Sequence, residues 1–176
     1  MLVSYAQESG GNEVSLGYYG PIGEPGFNLG YHKAIHIAAF QFDWNPQIAF
    51  WAKNKDNANL FLNNEFGINL QREGRKRGSI FSLGLGYLAQ FEVTSFTVDF
   101  NGEIINKERE RRDIIMPTIN YEFNHRLTDN LRWYAKVSWG YRMSSKIENM
   151  GSIMGGVGVK YLISNKAEST KLPGDE

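Results

Sequence analysis

The sequence contains no cysteine. That absence excludes a disulfide scaffold, thiolate metal sites and cysteine catalysis. The chain also lacks a net charge, because 19 basic residues balance 19 acidic ones. No overall electric field therefore attracts the protein to nucleic acid or to acidic substrates.

Long apolar runs are missing as well. The longest cover only a few residues, whereas a membrane-spanning helix needs roughly 20, so a protein built of spanning helices is excluded. A mean hydropathy of -0.41 does not exclude a membrane β-barrel, because barrel strands alternate apolar and polar residues. The scarcity of proline (5, against 19 glycines) and an aromatic content of 14% favour an all-β chain.

What the sequence does contain is a period-two alternation of apolar and polar residues, which is typical of strands with two different faces. The clearest segment runs from Ala38 to Ala52, with apolar even positions and mostly polar odd positions. Further strands are predicted over 13–20, 27–33, 59–70, 81–93, 115–123, 131–142 and 157–163. Eight is an even number, as single-chain bacterial membrane barrels require.

The connections between these segments fall into two classes. Turns are predicted near 34–37, 71–78 and 124–130, the first because the apolar parity changes between Ile35 and Ala38. Loops are predicted near 21–26, 53–57, 94–111 and 144–152, and Asn101–Gly102 within the third of these indicates an outer hairpin turn. If the N-terminus is periplasmic, the turns are periplasmic and the longest loop is extracellular, as membrane barrels prefer.

Alternation alone also fits a soluble barrel that carries an apolar ligand, so the content of the polar face decides between the two. That face carries charges of both signs among glycine, serine and asparagine. We expect its charged members to form an interior network: Asp43, Glu65, Glu92, Glu122, Arg132, Lys136 and Arg142. A small barrel interior accommodates such residues when opposite charges pair.

A turn over 124–130 would place Glu122 opposite Arg132, which predicts an ion pair there. Two prolines argue against simple strands, since Pro46 and Pro117 remove hydrogen-bond donors from predicted ladders. Small residues at Ser4 and Ala6 match the end of a signal peptide, although a chance arrangement of small residues is the alternative. We therefore predict a residual signal-peptide end (1–6), a barrel domain (7–163) and a polar C-terminal tail (164–176).

Several stretches of the chain resemble a group of small outer-membrane β-barrel proteins of Gram-negative bacteria to which no activity is assigned. The stretches are 25–31, 59–67, 84–88, 98–103 and 116–123. They are strand and turn patterns, and none is a catalytic signature. The resemblance implies an outer-membrane location and a β-barrel fold, and it implies no enzymatic role.

Histidines are the first candidates for chemistry. His32 and His36 lie near Asp43, but the parity change separates them and no third ligand has diagnostic spacing, so we predict no metal and no cofactor. His125 precedes Thr128 and Asp129. A lipid A-modifying enzyme would need such groups to converge on a lipid-accessible rim, whereas this segment is predicted to be a periplasmic turn.

Two basic runs cover residues 72–77 and 107–112, and the simpler interpretation is that both are solvated turns. The second lies in the predicted outer loop, where arginine would meet lipopolysaccharide phosphates. The candidate contacts are Lys107, Arg109, Arg111 and Arg112. Neither run has the aromatic interleaving of a nucleic-acid site.

The sequence thus predicts an eight-stranded antiparallel up-and-down transmembrane β-barrel with a filled polar interior. Its expected partners are outer-membrane lipid and other envelope proteins. The expected function is non-enzymatic, structural or accessory, and lipid A modification is the competing hypothesis.

Overall fold

The computed structural model describes residues 12–22, 24, 26–37, 40–54, 56–70, 76–143 and 150–163. Within these ranges eight antiparallel strands close into a barrel in chain order, because β1 also pairs with β8. They are β1 (Asn12–Pro21), β2 (Gly26–Ile37), β3 (Phe40–Asn54), β4 (Asn57–Asn69), β5 (Arg77–Val98), β6 (Ile104–Arg126), β7 (Leu131–Arg142) and β8 (Met150–Ile163). The described residues include no helix long and apolar enough to cross a membrane. The predicted barrel is confirmed, whereas the expected signal-peptide end and polar tail lie outside the described residues.

The strand alternation places apolar side chains outside and polar ones inside. On β3, Ile48 and Phe50 are exposed, while Asp43, Asn45 and Gln47 are buried. The other strands continue this outward apolar belt with Val14, Leu16, Leu29, Leu62, Phe66, Leu83, Leu85, Ile119, Val137 and Val157. Such a surface is unfavourable in water and is what a lipid-facing barrel presents. A soluble ligand-carrying barrel would require the reverse distribution.

The first predicted turn is misplaced. Residues 34–37 belong to β2, in which Ile35 pairs with Phe42 and Ile37 pairs with Phe40. The apolar parity therefore changes between Ile37 and Phe40, across two residues that lie outside the described ranges. Of the predicted turn at 71–78 and loop at 144–152, the described parts at 77–78 and 150–152 belong to strands β5 and β8.

The predicted long loop at 94–111 is wrong, because most of it is strand. β5 continues to Val98 and β6 begins at Ile104, joined by a turn in which Gly102 has a φ of 83°. β4 accompanies β5 as far as Phe91, and beyond that point the described part of β5 pairs with β6. The two strands thus project from the barrel wall as a hairpin. The hairpin turn at Asn101–Gly102 agrees with the prediction. Sequence alternation could not reveal the length of the two strands, because a hairpin outside the membrane has water on both faces.

The predicted register between β6 and β7 is also wrong. β6 continues to Arg126, so the turn shrinks to 127–130 and Glu122 lies opposite Lys136 instead of Arg132. Arg132 pairs in register with Arg126. The longer strand and shorter turn together shift the pairing by four residues. Because four is an even number, every side chain stays on its predicted side of the sheet but has a different partner.

Both strand prolines lie where a ladder is interrupted. Pairing between β2 and β3 stops after Gly30–Gln47 and resumes at Lys33–Trp44, and Pro46 lies in the gap. Pairing between β6 and β7 similarly stops next to Pro117. Pro46 still pairs with β4, and Pro117 with β5. Each proline therefore keeps one intact ladder and weakens the other, as the loss of its N–H requires.

The interior has an apolar half that the sequence did not predict. Inward side chains near the hairpin end form a buried cluster: Tyr19, Ala49, Trp51, Phe61, Leu88, Ile114, Met116 and Met154. Phe61 is its centre, with ring centroids 6.3 Å from Tyr19 and 6.1 Å from Trp51. This apolar plug fills the barrel cross-section at that end, as expected for eight strands.

A substitution at Gly86 tests how tightly this plug is packed. A Cβ at Gly86 would lie 2.6 Å from Phe61 Cζ and 3.1 Å from the Met116 carbonyl oxygen. We expect Gly86→Ala to lower the free energy of unfolding by about 1–3 kcal/mol, the usual range for overpacking. Urea unfolding in lipid vesicles, followed by tryptophan fluorescence, measures this change.

Gly155→Ala is the matched control, because the nearest atom to its added Cβ is the Lys136 carbonyl oxygen at 3.8 Å. Its effect should stay within about 0.5 kcal/mol. Equal stability losses for the two alanine variants would contradict a filled interior around Phe61.

Candidate functional site: the filled interior and the projecting hairpin

Two buried ion pairs cross the polar half of the interior. Lys160 of β8 donates to Glu122 of β6, and Lys136 of β7 donates to Glu65 of β4. The four side chains are nearly inaccessible to solvent. A buried charge without a partner costs several kcal/mol, so these pairs hold non-adjacent strands at fixed positions across the lumen.

Neighbouring polar groups complete both pairs. Glu65 also accepts hydrogen bonds from Asn63 Nδ2 at 2.6 Å and Ser82 Oγ at 3.1 Å. Lys136 Nζ donates to Gln47 Oε1 at 3.2 Å. These bonds satisfy groups that the interior withdraws from water.

Lysine 160 lies among aromatic and imidazole groups. Lys160 Nζ lies 5.3 Å from the Tyr134 ring centroid, a cation–π distance, and 3.4 Å from His32 Nδ1. Together with Glu122, these contacts surround the ammonium group on several sides.

The structure brings together only part of the predicted charge network. Asp43, Glu65, Glu122 and Lys136 are buried in the lumen. Lys160, which is 1% exposed and is the partner of Glu122, is not among the predicted members. Its position in a glycine-rich strand of correct parity was the available signal, but a partner across the lumen leaves no local pattern.

The other three predicted members lie at the barrel ends. Arg132 is half-buried and lies 3.3 Å from Glu13. Glu92 lies on the projecting hairpin and pairs with Arg112 at 3.3 Å, because β5 has left the barrel wall by that point. Arg142 lies near the hairpin end, where its Nη2 is 3.4 Å from Ser152 Oγ. Predicting Glu92 in the interior was therefore wrong.

The histidine candidates do not assemble a reactive site in the described residues. His32 and His36 share one strand with no parity change between them, contrary to the prediction. No described group of three or more His, Cys, Asp or Glu side chains has the arrangement of a metal site. His125 packs on Trp133 at 6.2 Å, and no described hydrogen bond joins it to Thr128 or Asp129.

The four predicted lipid contacts lie on the β6 strand of the hairpin, and three of them have acidic partners. Lys107 pairs with Asp56, and Arg112 lies near Glu92 and Glu110. Arg111 Nε donates to Asp113 at 2.8 Å. Arg109 is exposed, and no ion pair links it to another described residue.

Tyr87 and Asp113 position Arg111 at the edge of the apolar belt. Arg111 Nη2 donates to the Tyr87 hydroxyl at 2.6 Å, and that hydroxyl donates to Asp113 Oδ1 at 2.5 Å. The hydrogen bond from Tyr87 has the largest effect on the pKa of Asp113, followed by the one from Arg111, and both hold that pKa below its usual value. Arg111 also lies over the Phe91 ring, 6.0 Å from its centroid.

The end of the hairpin is apolar and exposed. Four large side chains form this apolar tip: Phe96, Val98, Phe100 and Ile104. Phe100 lies in the connecting turn and is fully exposed. Along the two strands, these residues lie beyond Arg111 and Asp113, the charged side chains at the end of the belt.

Comparison with known proteins supports the fold. No family model matches the sequence, and no curated protein has significant sequence similarity to it. The N-terminal β-barrel domain of Pseudomonas aeruginosa OprF is similar in structure, with a TM-score of 0.65 and 12% identity over 86% of this chain and 96% of that domain. Neisserial surface protein A (NspA) gives a TM-score of 0.55 and 11% identity over 86% of this chain and 94% of that protein.

This chain has the fold of a Gram-negative outer-membrane β-barrel. The outward apolar belt, the inward charges and the eight-stranded closure agree with that fold. The plug and the ion pairs fill the lumen.

A double-mutant cycle tests whether Lys160 and Glu122 form an interior ion pair. Lys160→Met alone should lower the free energy of unfolding by about 3–5 kcal/mol, because it leaves Glu122 charged and buried. Lys160→Met combined with Glu122→Gln should lower it by much less than the sum of the two single changes. Urea unfolding in vesicles gives all three values.

Arg77→Gln, in an exposed residue at the start of β5, is a control that should leave stability nearly unchanged. Additive effects of the Lys160 and Glu122 changes would show that the two side chains do not interact.

Proposed function

We propose that the protein is a non-enzymatic accessory subunit of the outer membrane, in which the barrel is an anchor and the hairpin contacts other envelope proteins. The observation that carries this proposal is the apolar tip, Phe96, Val98, Phe100 and Ile104, held in water beyond the belt. An exposed group of large apolar side chains at a defined site is typical of a protein–protein contact.

The stiffness of the hairpin supports this role. The two strands pair along their length up to Val98–Ile104, and Asp99 accepts backbone hydrogen bonds within the turn. The side-chain ion pair between Lys107 and Asp56 ties the hairpin to the β3–β4 connection. Because the backbone of the tip is held by these bonds, binding of a partner requires little loss of conformational entropy from the hairpin.

The filled lumen favours an anchor over a pore. The apolar plug occupies one half of the interior and the lysine–glutamate pairs occupy the other. No observation favours lipid A modification by His125, whose ring packs on Trp133. We also infer that the chain belongs with the small outer-membrane barrels that it resembles, since the stretches 59–67 and 84–88 lie in the paired strands β4 and β5.

Photocrosslinking from the tip tests the proposal. A photoreactive phenylalanine analogue replaces Phe100 in cells that make the protein, and the same analogue replaces Asn130 in the β6–β7 turn as a control. Both positions are exposed, at opposite ends of the barrel. We expect one discrete protein adduct from position 100 and none of that mass from position 130.

Changing the neighbouring tip residues sharpens the test. Phe96→Ser with Val98→Ser should reduce the adduct from position 100 by about tenfold or more, because contact residues at a protein interface contribute on the order of 1–2 kcal/mol each. The same adduct at undiminished yield, or adducts to lipid alone, would contradict a docking role for the tip.

A further inference from the structure

A wide depression interrupts the outward apolar belt. It has a volume of about 820 Å³ and reaches from β1 to β6. Its lining includes Leu29, Ile48, Leu62, Leu85 and Ile115, all outward-facing. We name it the Pro46 depression, because Pro46 also lines it at the break in the β2–β3 ladder. Its volume lies within the range of small-molecule binding sites, roughly 300–1,000 Å³.

Two arginines lie on β6 beyond one rim of the Pro46 depression. Tyr87 and Ile115, which pair with each other, line the depression at the hairpin side. The Tyr87 hydroxyl accepts a hydrogen bond from the Arg111 guanidinium. Arg109 lies two residues further along the same outward face of β6. Two positive charges, Arg109 and Arg111, therefore face one negative charge, Asp113, on this row.

The arginines retain hydrogen-bonding capacity for an anion. A guanidinium carries five N–H donors, and Arg111 uses its Nε and Nη2 groups with Asp113 and Tyr87. Arg109 is exposed and has no ion-pair partner among the described residues. Arginine binds phosphate through two parallel hydrogen bonds where geometry allows.

The position of the depression within the belt defines the ligand. An apolar depression in the hydrocarbon layer with cations beyond its water-side rim matches a lipid that joins acyl chains to phosphate. The hairpin end is the side predicted to face the cell exterior, where the lipid is lipopolysaccharide. We propose that the Pro46 depression binds one lipopolysaccharide molecule, with an acyl chain along Leu62 and Leu85 and a phosphate at Arg109 and Arg111.

This proposal is independent of the apolar tip. The tip residues lie beyond the rim, and their loss leaves the depression and both arginines in place. A protein that binds lipopolysaccharide without crosslinking from position 100 would fail only the proposed accessory role, and the reverse result would fail only this inference.

Two variants test the two halves of the site. Leu62→Trp fills the depression with a larger side chain, and Arg109→Gln removes the exposed cation beyond the rim. Each folded protein, checked by circular dichroism, is titrated with purified lipopolysaccharide in detergent, and bound lipid is counted by native mass spectrometry. We expect the wild type to bind one molecule. Arg109→Gln should bind about tenfold more weakly, as loss of one charge-assisted contact implies. Leu62→Trp should also bind about tenfold more weakly, because its indole occupies the space proposed for the acyl chain.

Matched controls separate this site from general lipid contact. Ile119→Trp adds the same bulk to an exposed belt position outside the lining, and Arg77→Gln removes an exposed cation at the opposite end. Both controls should bind within twofold of the wild type.

Three results would overturn the proposal. The first is an equal loss of binding in Leu62→Trp and Ile119→Trp, which would indicate general belt contact. The second is retention of glycerophospholipid in place of lipopolysaccharide in a parallel titration. The third is a lipid-free dimer mass that disappears in Leu62→Trp, which would identify a second copy of the chain as the occupant.

Discussion

Two lysine–glutamate pairs inside the barrel determine which face of four of its strands points inward. Lys160 with Glu122 and Lys136 with Glu65 bring four strands to fixed positions across the lumen. Each charge would be strongly unfavourable in the hydrocarbon layer, so a one-residue slip that turned it outward is excluded. Once these residues point inward, the alternating apolar residues must point outward and form the lipid-facing belt.

The remaining features follow from where that belt ends. At the hairpin end, the lumen changes from charged to apolar, with Phe61 between Tyr19 and Trp51. Outside, Asp113 and Arg111 mark the point where β5 and β6 leave the barrel wall and continue as a paired hairpin. The interior thus contributes the stability of the barrel, and the two surfaces proposed for binding, the tip and the Pro46 depression, both face outward.

The number of strands, the side of the sheet on which their residues lie and the outer-membrane location were predictable. A lipid-exposed strand must alternate apolar and polar residues, as Ile48 and Asp43 do on β3. The turn of the hairpin was predictable from Asn101–Gly102, which favours a tight hairpin turn. The length of its two strands was not predictable, because residues such as Glu108 and Arg109 meet water and need no alternation. The partner of Glu122 was also not predictable, since Lys160 reaches it across the lumen from a strand 38 residues away in sequence. Pro46 and Pro117 argued against simple strands in the sequence, and in the structure each lies in a strand where one ladder is interrupted.

The most direct test of a closed transmembrane barrel is a gel of the detergent-extracted protein, run with and without boiling. A barrel with paired charges inside and apolar side chains outside should stay folded in the detergent and migrate faster when unboiled. Boiling should convert it to the slower unfolded form. Identical migration of both samples, with the protein recovered in the soluble fraction without detergent, would contradict the assignment of the inward and outward faces.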